Sequence, residues 1–387
     1  MIGVCIKYFH SNYGGMLQAY ATTAILEDLG FQYELIRYEK RRTTVEKIQS
    51  LPRLLNSVLL NDKYEALLKK IGEKRHPKFA ADNAVRKACF DGFCEEKFTK
   101  LSPIFVGYQA LCDGAKRYDA VITGSDQLWS PAGLPTNYYN LKFVPEEVDR
   151  VSFASSFGVS NIPWYQKERT KEFLNRIPYV SMRENRGAEI VKELTGRDVP
   201  VLMDPVFYFD KEGWAKLVPC KPVEWDDYIF CYFLGNNPEH RKAAKQLSEE
   251  TGKKIVTLRH LDRYVPEDET FGDYAPYAVD PSTFLNILRN AAYVCTDSFH
   301  GSVFSIIHEK KFLVFNRYSS QSGTSKNSRI DSLCQNLGLE NRRYVSSRSL
   351  SNTIDGHIDY ASVKQKLDGY RKETNSFLTT ALNTTEK

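Results

Sequence analysis

Short apolar runs alternate with amphipathic stretches along most of the chain. Met1–Phe9 is compact and apolar. After a polar turn, Leu17, Ala21, Ile25 and Leu29 recur at helical spacing across Gly15–Leu29, and Gly30 stops that helix. Further apolar runs lie at Tyr33–Tyr38, Tyr118–Thr123, Val151–Phe157, Tyr179–Met182 and Val199–Met203. A second series occupies Tyr228–Leu234, Lys254–Leu258, Tyr293–Thr296 and Phe312–Phe315. Helical patterns fill Pro238–Thr251, Pro281–Ala291, Gly301–Glu309, Ser328–Leu337 and the C-terminal Tyr360–Leu382. Short buried strands alternating with helices predict an α/β protein whose parallel sheets are covered on both faces. Two such series, parted by the polar stretch Asp210–Asp227, predict two doubly wound domains facing a cleft. Their expected spans are residues 1–210 and 222–350, with a helical tail, 351–387, packing back across the joint.

Composition narrows the class. A chain of 387 residues suits two domains. With 42% apolar and 26% charged residues it can bury sizeable cores, which excludes a disordered or fibrous chain. No apolar run approaches the ~20 residues of a membrane span. The opening Met1–Lys7 has no basic stretch ahead of its apolar residues, so a secretory signal is not expected and a cytoplasmic location is. Eight scattered cysteines without a Cys-x-x-Cys pair fit reduced, structural thiols and leave zinc improbable.

The net charge of +5 is unevenly spread. Residues 40–100 hold fifteen Lys and Arg against eight Asp and Glu, in a segment with helical stretches at Leu51–Leu60 and Tyr64–Ile71. This basic helical insertion in the first domain reads as a solvated face, or as a surface for an anionic partner. Such a partner is a diphosphate-bearing acceptor or an acidic bilayer, the latter giving peripheral contact with a membrane surface. Nucleic acid is not expected, since no binding motif accompanies so modest a surplus.

Ligands of open α/β sheets bind beyond the carboxyl ends of strands, at helix N-termini, so the chemistry should follow the strands. Asn12, Tyr13 and Gly14, with Gly15, open a helix where backbone N–H groups can approach an anion; a ligand-free tight turn is the alternative. Ser125, Asp126, Gln127 and Trp129 suit sugar recognition, two polar groups bridging hydroxyls beside a flat ring. A helix cap with Trp129 in the core explains the same residues equally well. Arg183 leaves a strand at a helix start, positioned to hold a carboxylate or phosphate unless a local acid pairs with it. His300 stands where another strand turns into a helix, beside Asp297, and is a candidate proton donor; His308 reads as packing or surface. Arg317–Arg329 is loop chemistry rich in hydroxyls with three cations, among them Lys326, which phosphate would explain and a solvated loop would also explain.

Asn12–Ala21, Gly124–Trp129, Ser181–Glu184, Met203–Phe207 and Thr296–Gly301 occur in this order, and the ordered set resembles the polysaccharide pyruvyl transferase family. The resemblance spans roughly residues 1–342, apart from the basic insertion. It implies a fold similar to the glycosyltransferases with two Rossmann-like domains (the GT-B type). It also implies transfer of pyruvate from phosphoenolpyruvate, as co-substrate, onto two hydroxyls of a sugar in a surface polysaccharide or its lipid-linked precursor. Cofactors and metals are not implied. Carried onto this sequence, the family's arginine falls on Arg183, holding phosphoenolpyruvate, and its histidine on His300, the general acid, with Asp297 orienting or backing the ring. Ser298 and Gly301 at the same turn complete the donor site. Better-studied members read Arg-Leu-His where this chain reads Ser298-Phe299-His300, so one anion-binding arginine is missing; Arg329, or Lys326 beside it, is expected to supply the charge. Two other readings stand beside this one: a nucleotide-sugar glycosyltransferase on the same fold, and a non-catalytic member of a polysaccharide-assembly complex.

Overall fold

The computed structural model describes residues 1–41, 57–131, 137–317, 328–346 and 349–383. Within them, ten strands form two sheets in which every pairing is parallel. The first contains β1 (Ile2–Cys5), β2 (Tyr33–Glu39), β3 (Leu101–Val106), β4 (Ala120–Thr123), β5 (Asp149–Ser155) and β6 (Tyr179–Met182), in the order β3-β2-β1-β4-β5-β6. The second contains β7 (Ile229–Tyr232), β8 (Ile255–Thr257), β9 (Tyr293–Thr296) and β10 (Lys311–Val314), in the order β10-β9-β7-β8. The central strands are buried on both faces, which is why they read as unbroken apolar runs rather than alternating ones. This is the α/β architecture of two doubly wound, Rossmann-like halves expected from the sequence.

Both sheets have a point where strand order reverses, between β1 and β4 in the first and between β7 and β9 in the second. Such points open a crevice beyond the carboxyl ends of the strands. The two crevices face each other because helix Tyr13–Asp28, which follows β1, packs against helices Pro281–Asn290 and Phe299–Ile307 of the second half. One apolar core runs through both halves, from Ile2 and Val4 to Phe230 and Val294. The tail helix Tyr360–Leu382 starts with Tyr360 donating to the Lys310 carbonyl ahead of β10 and reaches back to β5, so it does pack across the joint.

The observed elements differ from the expected ones in two places. Val199–Met203 makes no strand, only a single bridge from Val201 to Met182. Conversely β3 was not expected; it is an edge strand, where Pro103 costs no ladder bond inside the sheet. In the insertion, the expected helix Leu51–Leu60 falls mostly outside the described residues. The observed helices there are Ser57–Arg75 and Pro77–Lys97. The second of these crosses to the other half: Arg86, itself buried, donates to the carbonyls of Arg259 (2.7 Å), Pro276 (3.0 Å) and Tyr277 (3.4 Å). Among the described residues no helix is long and apolar enough to cross a membrane.

Candidate active site

Where the two crevices meet lies a cavity of about 220 Å³. The first half contributes Lys7, His10 and Asn12 from beyond β1, and Asp126 and Gln127 from beyond β4. The second half contributes Leu234 from beyond β7, Asp297–His300 from beyond β9, Arg317 from beyond β10, and Arg329 from the start of helix Ser328–Leu337. Three cations and two histidines thus share a wall with two carboxylates.

His300 sits in the first turn of helix Phe299–Ile307, where Ser298 caps the helix by accepting from Gly301 N (3.2 Å). Its imidazole is nearly buried, and Nε2 lies 3.5 Å from Asp204 Oδ2. Asp204 is fully enclosed after β6 and caps the 3₁₀ turn Pro205–Phe207 through Val206 N (3.2 Å). Burial pushes its pKa up, but His300 and Arg183 outweigh that and hold it below the usual carboxylate range, so it is ionised. The other face of the imidazole rests on Gly14: a Cβ there would stand 2.3 Å from His300 Cγ and Nδ1. Only glycine allows this approach between the first helix of one half and the catalytic-type turn of the other.

Arg183 departs from expectation. Its side chain is 2% exposed and surrounded by three carboxylates. Nη1 donates to Asp204 (2.7 Å), Nη2 to Asp126 (3.4 Å), and Nε faces Glu184 at 3.8 Å. It does not line the 220 Å³ cavity. Its charge is spent inside the protein, fixing Asp204 behind His300 and Asp126 at the cavity wall. Asp126 is likewise driven far below the usual range: burial opposes ionisation, and Arg183, His300 and Arg329 overcome it. Among the described residues, the cations that reach the cavity are Lys7, Arg317 and Arg329. Arg329 lies 5.7 Å over the Phe299 ring, and Arg183 lies 5.2 Å over the same ring. With its amide oxygen turned inward, Gln127 accepts from Arg329 Nη1 (3.2 Å) and Nη2 (3.0 Å). Arg329, in the first turn of its helix, therefore shares the cavity wall with Ser298. Lys326 lies outside the described residues.

Several other candidates are structural. Asp297 lines the cavity, but its carboxylate accepts from Leu234 N (2.6 Å) and Gly235 N (2.9 Å) and lies 3.7 Å from His240 Nδ1. It pins the turn after β7, and the carboxylate at the His300 ring is Asp204 instead. Gly301 has its N–H taken by Ser298, and its Cα packs on Thr296, so it offers no donor to a ligand. Tyr13 is fully buried, stacked on Phe284 at 4.7 Å and donating to the Val279 carbonyl (3.0 Å). Trp129 is buried against Phe157 and Phe173 and donates to the Tyr139 carbonyl (3.0 Å), so it is no sugar platform. Ser125 donates inward to the Ala154 carbonyl (2.6 Å). Asn12 both lines the cavity and caps its helix at Gly15 N (2.9 Å).

His10, Lys7 and Asp204 were not singled out from sequence. Burial, with help from Lys7 and His300, pushes the His10 pKa down to about 4, so it is neutral near neutral pH. The one local signal was Asp204-Pro205, an N-cap pair that marks a buried turn.

The geometry defines a two-lobed α/β protein with an anion-suited, histidine-bearing cavity at paired switch points. The polysaccharide pyruvyl transferase family model matches residues 12–320, and the chain belongs to that family. No curated protein matches the sequence. Among solved structures, the chain is similar to a UDP-GlcNAc 2-epimerase from Neisseria meningitidis bound to UDP-GlcNAc. That match has 9% identity and a TM-score of 0.51, covering 98% of each chain. A putative UDP-N-acetylglucosamine 2-epimerase from Listeria monocytogenes matches at 12% identity and a TM-score of 0.50, covering 96% of this chain and 91% of its own. At these identities the likeness extends to the fold.

Proposed function

We propose that this protein transfers pyruvate from phosphoenolpyruvate to two hydroxyls of one sugar residue, in a surface polysaccharide or its lipid-linked precursor, closing a cyclic ketal. The observation that carries the reading is the convergence of His300 with Lys7, Arg317 and Arg329 on one cavity. A carboxylate and a phosphate on adjacent atoms need cations from more than one direction, and charge-assisted bonds to them are the strong ones. Arg329 replaces the arginine absent at Ser298.

The chemistry follows from the placement. Nε2 of His300 is closed off against ionised Asp204, so Nδ1 is left to hand a proton to the methylene carbon of the donor. The adjacent carbon becomes oxocarbenium-like and takes the first sugar hydroxyl. Phosphate then departs with the C–O electron pair, and the second hydroxyl closes the ketal. Of the two hydroxyl protons lost, one restores the imidazole and one leaves with phosphate. Asp204 compensates the ring while it carries two protons, and Arg183 keeps Asp204 ionised; both are positioning residues. Neutral His10 lines the same wall. Gln127 and Asp126 remain at the cavity for the sugar.

Incubating the protein with phosphoenolpyruvate and candidate glycosides, with phosphate release as readout, tests the reading. Release that depends on the acceptor supports it. Consumption of a nucleotide sugar instead identifies a glycosyltransferase, and inertness toward every donor a non-catalytic member.

A further inference from the structure

Helix Ser57–Arg75 carries an apolar stripe exposed among the described residues. Leu60, Tyr64, Leu67 and Ile71 are 48%, 57%, 54% and 37% exposed, and their spacing of four, three and four residues sets them in one row along the helix. At 100° per residue, Lys63, Lys70 and Lys74 border one side of this row and Arg75 borders the other; all four are exposed. The acids Glu65 and Glu73 project elsewhere. Glu65 faces Arg263 at 3.9 Å, and Gly72, buried, packs on Tyr264, so the helix is seated on the second half by a different face.

From this pattern we infer that helix Ser57–Arg75 docks on an anionic lipid bilayer. A row of leucine, isoleucine and tyrosine with three lysines along one side and Arg75 on the other matches the acyl–headgroup boundary of such a surface. A second copy of the chain would bring the same cations into opposition, which disfavours self-association through this face. The helix is also tied to the cavity: Tyr264, beneath Gly72, belongs to the loop whose His260 ring bonds the carbonyl of the cavity residue Leu234 (2.7 Å).

Sedimentation of the full chain with vesicles tests this, using phosphatidylcholine alone and phosphatidylcholine mixed with phosphatidylglycerol. Binding to the anionic vesicles, weakening with salt, is expected. Each of Lys63→Gln, Lys70→Gln and Lys74→Gln should weaken it about fivefold. Tyr64→Gln with Leu67→Gln should abolish it, leaving the melting temperature and turnover of a soluble glycoside unchanged, since these residues touch neither core nor cavity. Failure to bind anionic vesicles, equal binding to both vesicle types, or a dimer that the Gln variants dissociate would each overturn the inference. None of these outcomes bears on donor chemistry, which is read separately by phosphate release.

Discussion

Replacing Gly14 by alanine probes the contact on which His300 depends. The added methyl would lie 2.3 Å from Cγ and Nδ1 of the imidazole and 2.4 Å from its Cβ, whereas ordinary contact begins at 3.4 Å. The ring must therefore retreat by about 1.1 Å. It cannot move toward Asp204 freely, because that carboxylate is locked by Arg183 and Val206 N. A displacement of about 1 Å at a reacting group costs on the order of 10²-fold in rate, or about 2.7 kcal/mol of barrier. Kcat for acceptor-dependent phosphate release should fall by that factor. The Kd for phosphoenolpyruvate, measured by calorimetry, should change little, because the cations stand on other elements. Helix propensity works the other way, favouring alanine by about 1 kcal/mol, so the loss of rate is not expected to track a loss of fold. Gly92→Ala supplies the control: nothing lies within 4 Å of a Cβ there, and that variant should gain about 1 kcal/mol of stability with full turnover. A Gly14→Ala enzyme with wild-type kcat would refute the reasoning.

Other variants separate positioning from binding. Arg183→Met leaves Asp204 and Asp126 without their buried cation and should cost about 3–5 kcal/mol of stability, seen as a lowered Tm. Arg329→Ala should raise the Kd for phosphoenolpyruvate, measured by calorimetry, by about ten- to a hundredfold. His300→Ala should lose the ~10²–10⁴-fold supplied by general acid catalysis while still binding donor. The pKa of His10 is pushed down to about 4 and that of His308 to about 3, each chiefly by burial. Between these values and the ordinary ~6.5 the unfolded chain binds more protons than the folded one, so stability falls as pH drops from 7 toward 4. The slope is at most about 1.4 kcal/mol per pH unit for each histidine. Calorimetric melting at pH 7, 6 and 5 checks this, and a flat or rising Tm on acidification contradicts it.

The strands were legible because buried parallel strands are unbroken apolar runs, and Tyr179–Met182 and Tyr293–Thr296 begin and end where the pattern does. Strand ends in turn pointed to His300 and Arg329, both of which reach the cavity. Which way a side chain faces at such an end was not legible. Trp129 and Tyr13 follow strands as a ligand platform would, yet both turn inward, since each ring finds a carbonyl for its polar atom inside the core. Partners distant in sequence were equally hidden. Asp297 adjoins His300 in sequence and serves another turn, whereas Asp204, nearly a hundred residues away, meets the ring. Helix Pro77–Lys97 escaped notice because only Arg86, Phe90 and Phe93 are buried, too few to print an apolar stripe at helical spacing.

The central claim is that His300 delivers a proton from solvent to the methylene carbon of an enol phosphate gripped by Lys7, Arg317 and Arg329. Running the reaction with an accepting glycoside in heavy water and recording the NMR spectrum of the ketal methyl group tests it most directly. One deuterium per methyl in the wild-type product, with no such product from His300→Ala, is the expected result. A methyl free of deuterium, or undiminished ketal formation by His300→Ala, would contradict it.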